Sequence, residues 1–227
     1  MSANDLGNGI YALADGRVRS YLVLGTERGL VIDTGVGDTD VLANAREITQ
    51  LPLTLVNTHY HGDHTAKNSD FDAVYAHPND FDRLRDNSPE LFPVTEGYKF
   101  ELGGRTVEVF ETPGHTPGAI ALIDDLARVI FTGDSIAADV PVYMQMPDSD
   151  MAKLAESLQK IIGLSDRYDN IYPCHGIYPL TPDYAQKMLD CANAVLDGTS
   201  EDEIADFRND SKVRIAHFAG VSFYRPV

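Results

Sequence analysis

His59, His61, Asp63 and His64 fall within six consecutive positions of the stretch THYHGDHT (58–65), in a chain with seven histidines in all. A pleated strand sends neighbouring side chains to opposite faces, and a helix spreads them around its axis. At this density they meet only on a loop leaving the end of a strand, and the apolar run LTLVN (53–57) just upstream reads as that strand. His59 and His61 are two apart, so in an extended segment they point the same way. Gly62 lets the chain bend, and Asp63 and His64 then face a second point nearby. Imidazole nitrogen and carboxylate oxygen suit divalent zinc, iron or manganese. A chance match to this pattern arises on the order of once in a thousand such chains, so the cluster is read as functional.

Residues of the same type recur after other strands. His115 lies in TPGHTPG (112–118), behind RTVEVFET (105–112), between two proline–glycine elements that fix the backbone. Asp134 ends RVIFTG (128–133), where a lone aspartate is usually a turn former or helix cap. His175 follows NIYP (170–173) in PCHG, with Gly176 permitting close approach. Four loops therefore present ligand-type side chains at strand ends. His77 and His217 have no such context and are expected to be structural.

The wider pattern alternates strands with helices. IYALA (10–14), RVRSYLVL (17–24) and GLVID (29–33) read as early strands, and a helix is expected over residues 38–50. AVYAH (73–77) is a further strand, followed by a weak helix in PNDFDRLRD, and AIALID (119–124) is another strand. DMAKLAESLQKIIGL places Met151, Leu154, Leu158, Ile161 and Ile162 on one helical face. TPDYAQKMLDCANAVLDG reads as a helix capped by Thr181, with Pro182 at its first position and Gly198 at its stop. VRIAHF and VSFYRP close the chain as a strand pair. This order predicts an α/β arrangement of sheets covered by helices, in one domain spanning residues 1–227.

Composition narrows the function. With 35 acidic against 18 basic residues the net charge is −17, and no Lys/Arg cluster offsets it. Such a chain repels nucleic-acid backbones and anionic membranes, so the expected partner is a small molecule. No run reaches 18 apolar residues, and the first sixteen residues lack a basic and then apolar leader. A cytoplasmic location is expected, with Cys174 and Cys191 as reduced thiols. Nothing in the sequence speaks to oligomeric state.

DTG (33–35), THYHGDH (58–64), PGHTPG (113–118), TGD (132–134) and PCHG (173–176) together resemble the metallo-β-lactamase-fold hydrolase superfamily, most closely its glyoxalase II-like and lactonase-like branch. The resemblance covers roughly residues 10–227. It implies a four-layer αββα sandwich with metals at one edge, between two mixed sheets. It also implies two divalent ions, zinc first and iron or manganese as alternatives. His59, His61 and His115 would hold one ion, Asp63, His64 and His175 the other, and Asp134 would bridge them. Asp33 would orient a ligand histidine, or else simply end a strand. Two departures stand out. True β-lactamases of this fold typically lack the bridging aspartate, so Asp134 counts against antibiotic hydrolysis. Cys174 replaces the usual glycine before the last histidine, either as a metal or redox group or as a small buried residue.

The implied activity is binuclear hydrolysis of a small thioester, ester or lactone, through attack by a metal-bridging hydroxide on the carbonyl. Asp63 and Asp134 would orient the nucleophile and shuttle a proton, and Tyr143 would donate to the oxyanion. Tyr143, Met144 and Met146, in residues 139–150, are a candidate substrate wall, and residues 87–98 a second. No clear basic set awaits a glutathione carboxylate, and the extra helical domain of typical glyoxalase II enzymes is missing. Rival readings are a phosphodiesterase, a mononuclear-iron persulfide dioxygenase-like oxidoreductase, and a metal-binding protein without turnover. A flavo-diiron reading is disfavoured by His61, where that pattern has a glutamate.

Overall fold

The computed structural model describes residues 3–14, 16–37, 39–207 and 211–227. Asp38, where the first expected helix begins, lies outside them.

The first sheet has seven strands in sequence order: β1 (Asn4–Gly7), β2 (Ile10–Ala14), β3 (Ser20–Leu24), β4 (Gly29–Ile32), β5 (Leu53–Val56), β6 (Val74–Ala76) and β7 (Leu91–Pro93). It is antiparallel as far as β4 and parallel from β4 to β7. The change of direction needs a crossover, which α1 (Val41–Ile48) supplies, with Asp40 capping it through Ala43 N. The second sheet contains β8 (Lys99–Glu101), β9 (Thr106–Glu111), β10 (Ile120–Asp124), β11 (Val129–Gly133) and β13 (Asn170–Pro173), in the order β13-β11-β10-β9-β8. Strand alternation sorts the side chains into layers. Tyr21, Val23, Leu30 and Ile32 meet Ile120, Leu122 and Phe131 between the two sheets. Leu22 and Val31 face outward with Val41 and Ala45 of α1. Ala121 and Ile123 face outward under α4 (Met151–Gly163) and α5 (Asp183–Asp197). The result is the αββα sandwich.

Beyond α5 lies a third sheet, not anticipated from the sequence. β12 (Val142–Tyr143), β16 (Val221–Arg225), β15 (Lys212–Phe218) and β14 (Glu201–Asp206) pair in that order. The expected closing strand pair is its centre, and Ala216, Val221 and Phe223 join the core beneath α5. The C-terminal helix also starts later than expected. Its first residue is Asp183, and Thr181 Oγ bonds the Asp183 carboxylate instead of capping the backbone. Gly198 does end it, in the left-handed conformation with φ 71°. Both cysteines are free and buried. Among the described residues no helix is long and apolar enough to cross a membrane.

Leu122 and Leu126 test the layering. Leu122 is fully buried between the sheets, whereas Leu126 is 70% exposed in the following turn. Leu122→Ala is expected to cost about 2–5 kcal/mol in chemical denaturation, and Leu126→Ala less than about 0.5 kcal/mol.

Candidate metal centre

Strand direction brings the four loops together. β4 and β5 are parallel, so Asp33 and the His59–His64 segment leave the same edge of the first sheet. β9 and β11 both run opposite to β10, and β13 runs parallel to β11. His115, Asp134 and His175 therefore leave one edge of the second sheet. Thr58 O accepts from Ile120 N at 2.9 Å and joins the two edges. The approach is close enough to restrict side chains. A Cβ on Gly133 (φ 52°) would lie 2.8 Å from Thr58, and one on Gly176 (φ 76°) would lie 1.6 Å from Ala138 O. Gly62 behaves differently from expectation. It opens the helical turn α2 (Gly62–Thr65) without a positive φ, and the space where its Cβ would stand is empty. The helical turn, not glycine's freedom, aims Asp63 and His64.

Two groups of side chains form. His115 Nε2 lies 3.2 Å from His59 Nε2 and 2.9 Å from His61 Nδ1, and those two atoms are 3.1 Å apart. Beside them, His175 Nε2 is 3.5 Å from Asp63 Oδ2, and His64 Nε2 is 4.0 Å from Asp63 Oδ1. Asp134 stands between the groups. Its Oδ1 is 3.3 Å from His64 Nε2, and its Oδ2 lies 3.4 Å from His175 Nε2 and 3.5 Å from His115 Nε2. All seven residues expected from the sequence thus converge, while His77 pairs with Glu111 and His217 with Glu203 elsewhere.

On four of the five rings an outer hydrogen bond decides which nitrogen faces inward, while His61 Nε2 is buried without one. His64 Nδ1 donates to Asp33 Oδ2 at 2.8 Å. His115 Nδ1 donates to the Tyr143 carbonyl at 2.9 Å, and His175 Nδ1 to the Arg17 carbonyl at 2.7 Å. Thr58 Oγ gives its proton to Asp33 Oδ2, so its lone pair receives His59 Nδ1–H at 3.1 Å. In their neutral forms, four rings consequently turn an Nε2 lone pair toward one region, and His61 adds its Nδ1. These outer acceptors were largely beyond sequence reading. Two are main-chain carbonyls, which any residue would supply.

Electrostatics match this division. Burial, then the neighbouring imidazoles, hold His59 well below the usual histidine range and push His61 down to about 4. Burial likewise lowers His115. At His64 and His175 burial is outweighed by carboxylates. Asp134 and Asp33 raise His64, and Asp134 and Asp63 hold His175 up to about 9. Despite its own burial, Asp134 is kept well below the usual carboxylate range by His64 and His175.

The donor set fits divalent cations. Three nitrogens on a tetrahedral zinc, at 2.0–2.1 Å, would stand about 3.3 Å apart, close to the spacing of the first group. His64 Nε2 and Asp134 Oδ1 are buried 3.3 Å from each other with no other hydrogen-bond partner, and a cation would take both as ligands. Cys174 sits apart from this focus. Its thiol donates to Asp33 Oδ2 at 3.4 Å, and burial followed by the Asp33 charge pushes it up to about 12. It packs as a buried protonated thiol.

A cavity of about 740 Å³ opens onto the centre. Tyr143 and Met146 line it, whereas Met144 is turned into the core under the helices. Residues 87–98 do not border it, because Leu91–Pro93 instead forms the outer strand of the first sheet. Tyr143 bonds the site through its carbonyl, and its ring packs edge-on against Tyr224 at 4.9 Å.

A family profile described as the metallo-beta-lactamase superfamily matches residues 13–175. The chain belongs to that superfamily. Among its relatives is the "Acyl-coenzyme A thioesterase MBLAC2" of Gallus gallus, 26% identical, with the alignment covering 82% of this chain and 87% of that protein. An "Atrochrysone carboxyl ACP thioesterase" of Aspergillus terreus is 32% identical over 69% of this chain and 48% of its own length. The chain thus spans about half the length of several curated relatives it matches. A solved structure of TTHA1623 in a di-iron-bound form superposes with a TM-score of 0.65 at 26% identity, covering 78% of this chain and 96% of that one. The DIM-1 metallo-beta-lactamase reaches a TM-score of 0.70 at 16% identity, over 85% of this chain and 96% of that one, which shows the shared fold alone.

Asp80 provides a test of the loop carrying His115. It is buried against Gly118, and Thr116 Oγ donates to it at 3.4 Å. Burial pushes its carboxyl from an ordinary 3.8 up to about 7. The folded state therefore binds the proton more tightly than the unfolded chain. The resulting stability is full below about pH 4 and is lost as pH rises through 7. Asp80→Asn, lacking that proton, is expected to gain on the order of 4 kcal/mol over wild type between pH 4 and pH 8 in urea unfolding. Parallel pH profiles for the two proteins would contradict it.

Proposed function

We propose that this protein is a divalent-metal-dependent hydrolase of small acyl thioesters. The observation that carries the reading is the set of inward lone pairs, four of them fixed by outer hydrogen bonds on His59, His64, His115 and His175, facing two carboxylates at the mouth of a cavity. His59, His61 and His115 would hold one ion, Asp63, His64 and His175 a second, and Asp134 would reach both. Ions bound there supply a water that ionises near neutral pH and a Lewis acid for a carbonyl oxygen. Zinc is the first expectation for this donor set, with iron or manganese as alternatives.

The chain's own residues then do the following. Asp33 and the carbonyls of Arg17 and Tyr143 keep the imidazoles in the ligating tautomer. Asp134 and Asp63 accept hydrogen bonds from a water between them and hold its proton away from the attacking lone pair. Val140, Pro141, Val142, Tyr143 and Met146 form an apolar wall that takes an acyl group and excludes water from one side. A thiolate leaves readily without a proton, so no further acid is required. Two relatives named as thioesterases support this substrate class, as does the resemblance to the glyoxalase II-like branch. The net charge of −17 argues against a nucleic-acid or membrane substrate.

Chelation is expected to abolish thioester hydrolysis, and readdition of zinc, iron or manganese to restore it. Asp134→Ala should lower bound metal and reduce kcat/KM by at least about a hundredfold. Elemental analysis with a thioester, lactone and bis(p-nitrophenyl) phosphate panel checks both. Full activity of the chelated protein, or a phosphodiester turned over faster than every thioester, would contradict the reading.

A further inference from the structure

One cation borders the cavity. Among the described residues Arg17 is the only lysine or arginine lining it, in a lining that also holds Val140 to Tyr143, His175 and Gly176. Its main chain is registered to the centre. The Arg17 carbonyl accepts His175 Nδ1–H at 2.7 Å, and two residues on, Arg19 N donates to Cys174 O at 2.9 Å. Arg19 Nη1 also donates to Pro173 O at 3.2 Å, and its Nη2 donates to Gly176 O. Residues 17–19 and 173–176 are therefore laced together, and the base of the Arg17 side chain is held beside His175.

The guanidinium itself is uncommitted. Arg17 is exposed, and among the described residues its side chain has neither an ion-pair nor a hydrogen-bond partner. Arg85, Arg105, Arg128, Arg167, Arg214 and Arg225 all pair with carboxylates. The planar fork of an unpaired arginine matches one carboxylate or phosphate through two charge-assisted hydrogen bonds. Around it the net charge of −17 repels anions, so a substrate with several charges gains little from a single contact.

We propose that Arg17 determines specificity by selecting thioesters that carry a single oxyanionic group, carboxylate or phosphate, while the apolar wall takes the acyl arm. The proposal rests on the hydrolase reading above for its substrate class, yet it can be tested by binding alone. The probes are non-hydrolysable thioethers with one apolar arm and a second arm ending in hydroxyl, carboxylate or phosphate. Calorimetry on the zinc-loaded full chain compares wild type, Arg17→Gln and Arg17→Lys. Wild type is expected to bind an anionic thioether at least about tenfold more tightly than the hydroxyl one. Arg17→Gln should bring that ratio to about one, Arg17→Lys should keep part of it, and raised salt should shrink it. The tighter of the two anionic probes identifies the oxyanion. A ratio near one in wild type, or a preference that survives in Arg17→Gln, overturns the proposal. If the preference depends on Arg17 but the matching thioesters are not hydrolysed, the selection stands and the hydrolase reading falls. If thioesters are hydrolysed while the wild-type ratio is one, the reverse holds.

Discussion

The centre depends on one buried carboxylate. Asp33 Oδ1 accepts Thr58 N–H at 2.7 Å, and Oδ2 accepts Thr58 Oγ–H at 2.7 Å, His64 Nδ1 at 2.8 Å and Cys174 Sγ at 3.4 Å. These bonds reach two of the loops that build the site, the one carrying His59 to His64 and the one carrying His175. Asp33 leaves β4 with φ 61°, in the left-handed region that aspartate tolerates better than most residues. That backbone turn brings the carboxylate beneath Thr58. Through Thr58 it also governs His59, because the threonine proton given to Asp33 leaves the oxygen free to accept from the imidazole. One side chain thus sets two tautomers and the path of the loop between them.

The surrounding fold explains how such a hub is built by residues far apart in sequence. Parallel strands deliver their C-terminal ends to a single edge, and two sheets packed face to face bring two such edges together. Loops are then short, and each ligand-type residue follows its strand directly. The third sheet completes the arrangement from outside the sandwich. β12 carries the carbonyl that fixes His115, and its partner β16 brings Tyr224 to the same cavity. Specificity and support therefore share one strand.

Much of this was legible in the sequence. The ligand-type residues are rare types in dense or glycine-flanked settings, and the strands that carry them are runs of β-branched and aromatic residues. What escaped has physical reasons. EDEIAD (201–206) has four acids in six residues and no apolar alternation, yet it forms β14, because Asp202, Glu203 and Asp206 meet Arg214, Arg225, His217 and Lys212 across the sheet. β7, β8 and β12 are two or three residues long, too short to show a period. Met144 resembles its neighbours in composition, and only packing turned it into the core. The roles of the Arg17 and Tyr143 carbonyls belong to the backbone and leave no mark on residue type.

The central claim is that fixed imidazole lone pairs and two carboxylates hold divalent ions at adjoining positions. Anomalous diffraction at the zinc edge, from crystals of the full chain grown with zinc, tests it directly. The account predicts one peak about 2.0–2.1 Å from His59 Nε2, His61 Nδ1 and His115 Nε2, and another beside Asp63, His64 and His175, with Asp134 between them. Occupied peaks elsewhere on the molecule, with these imidazoles bonded only to protein atoms, would contradict it.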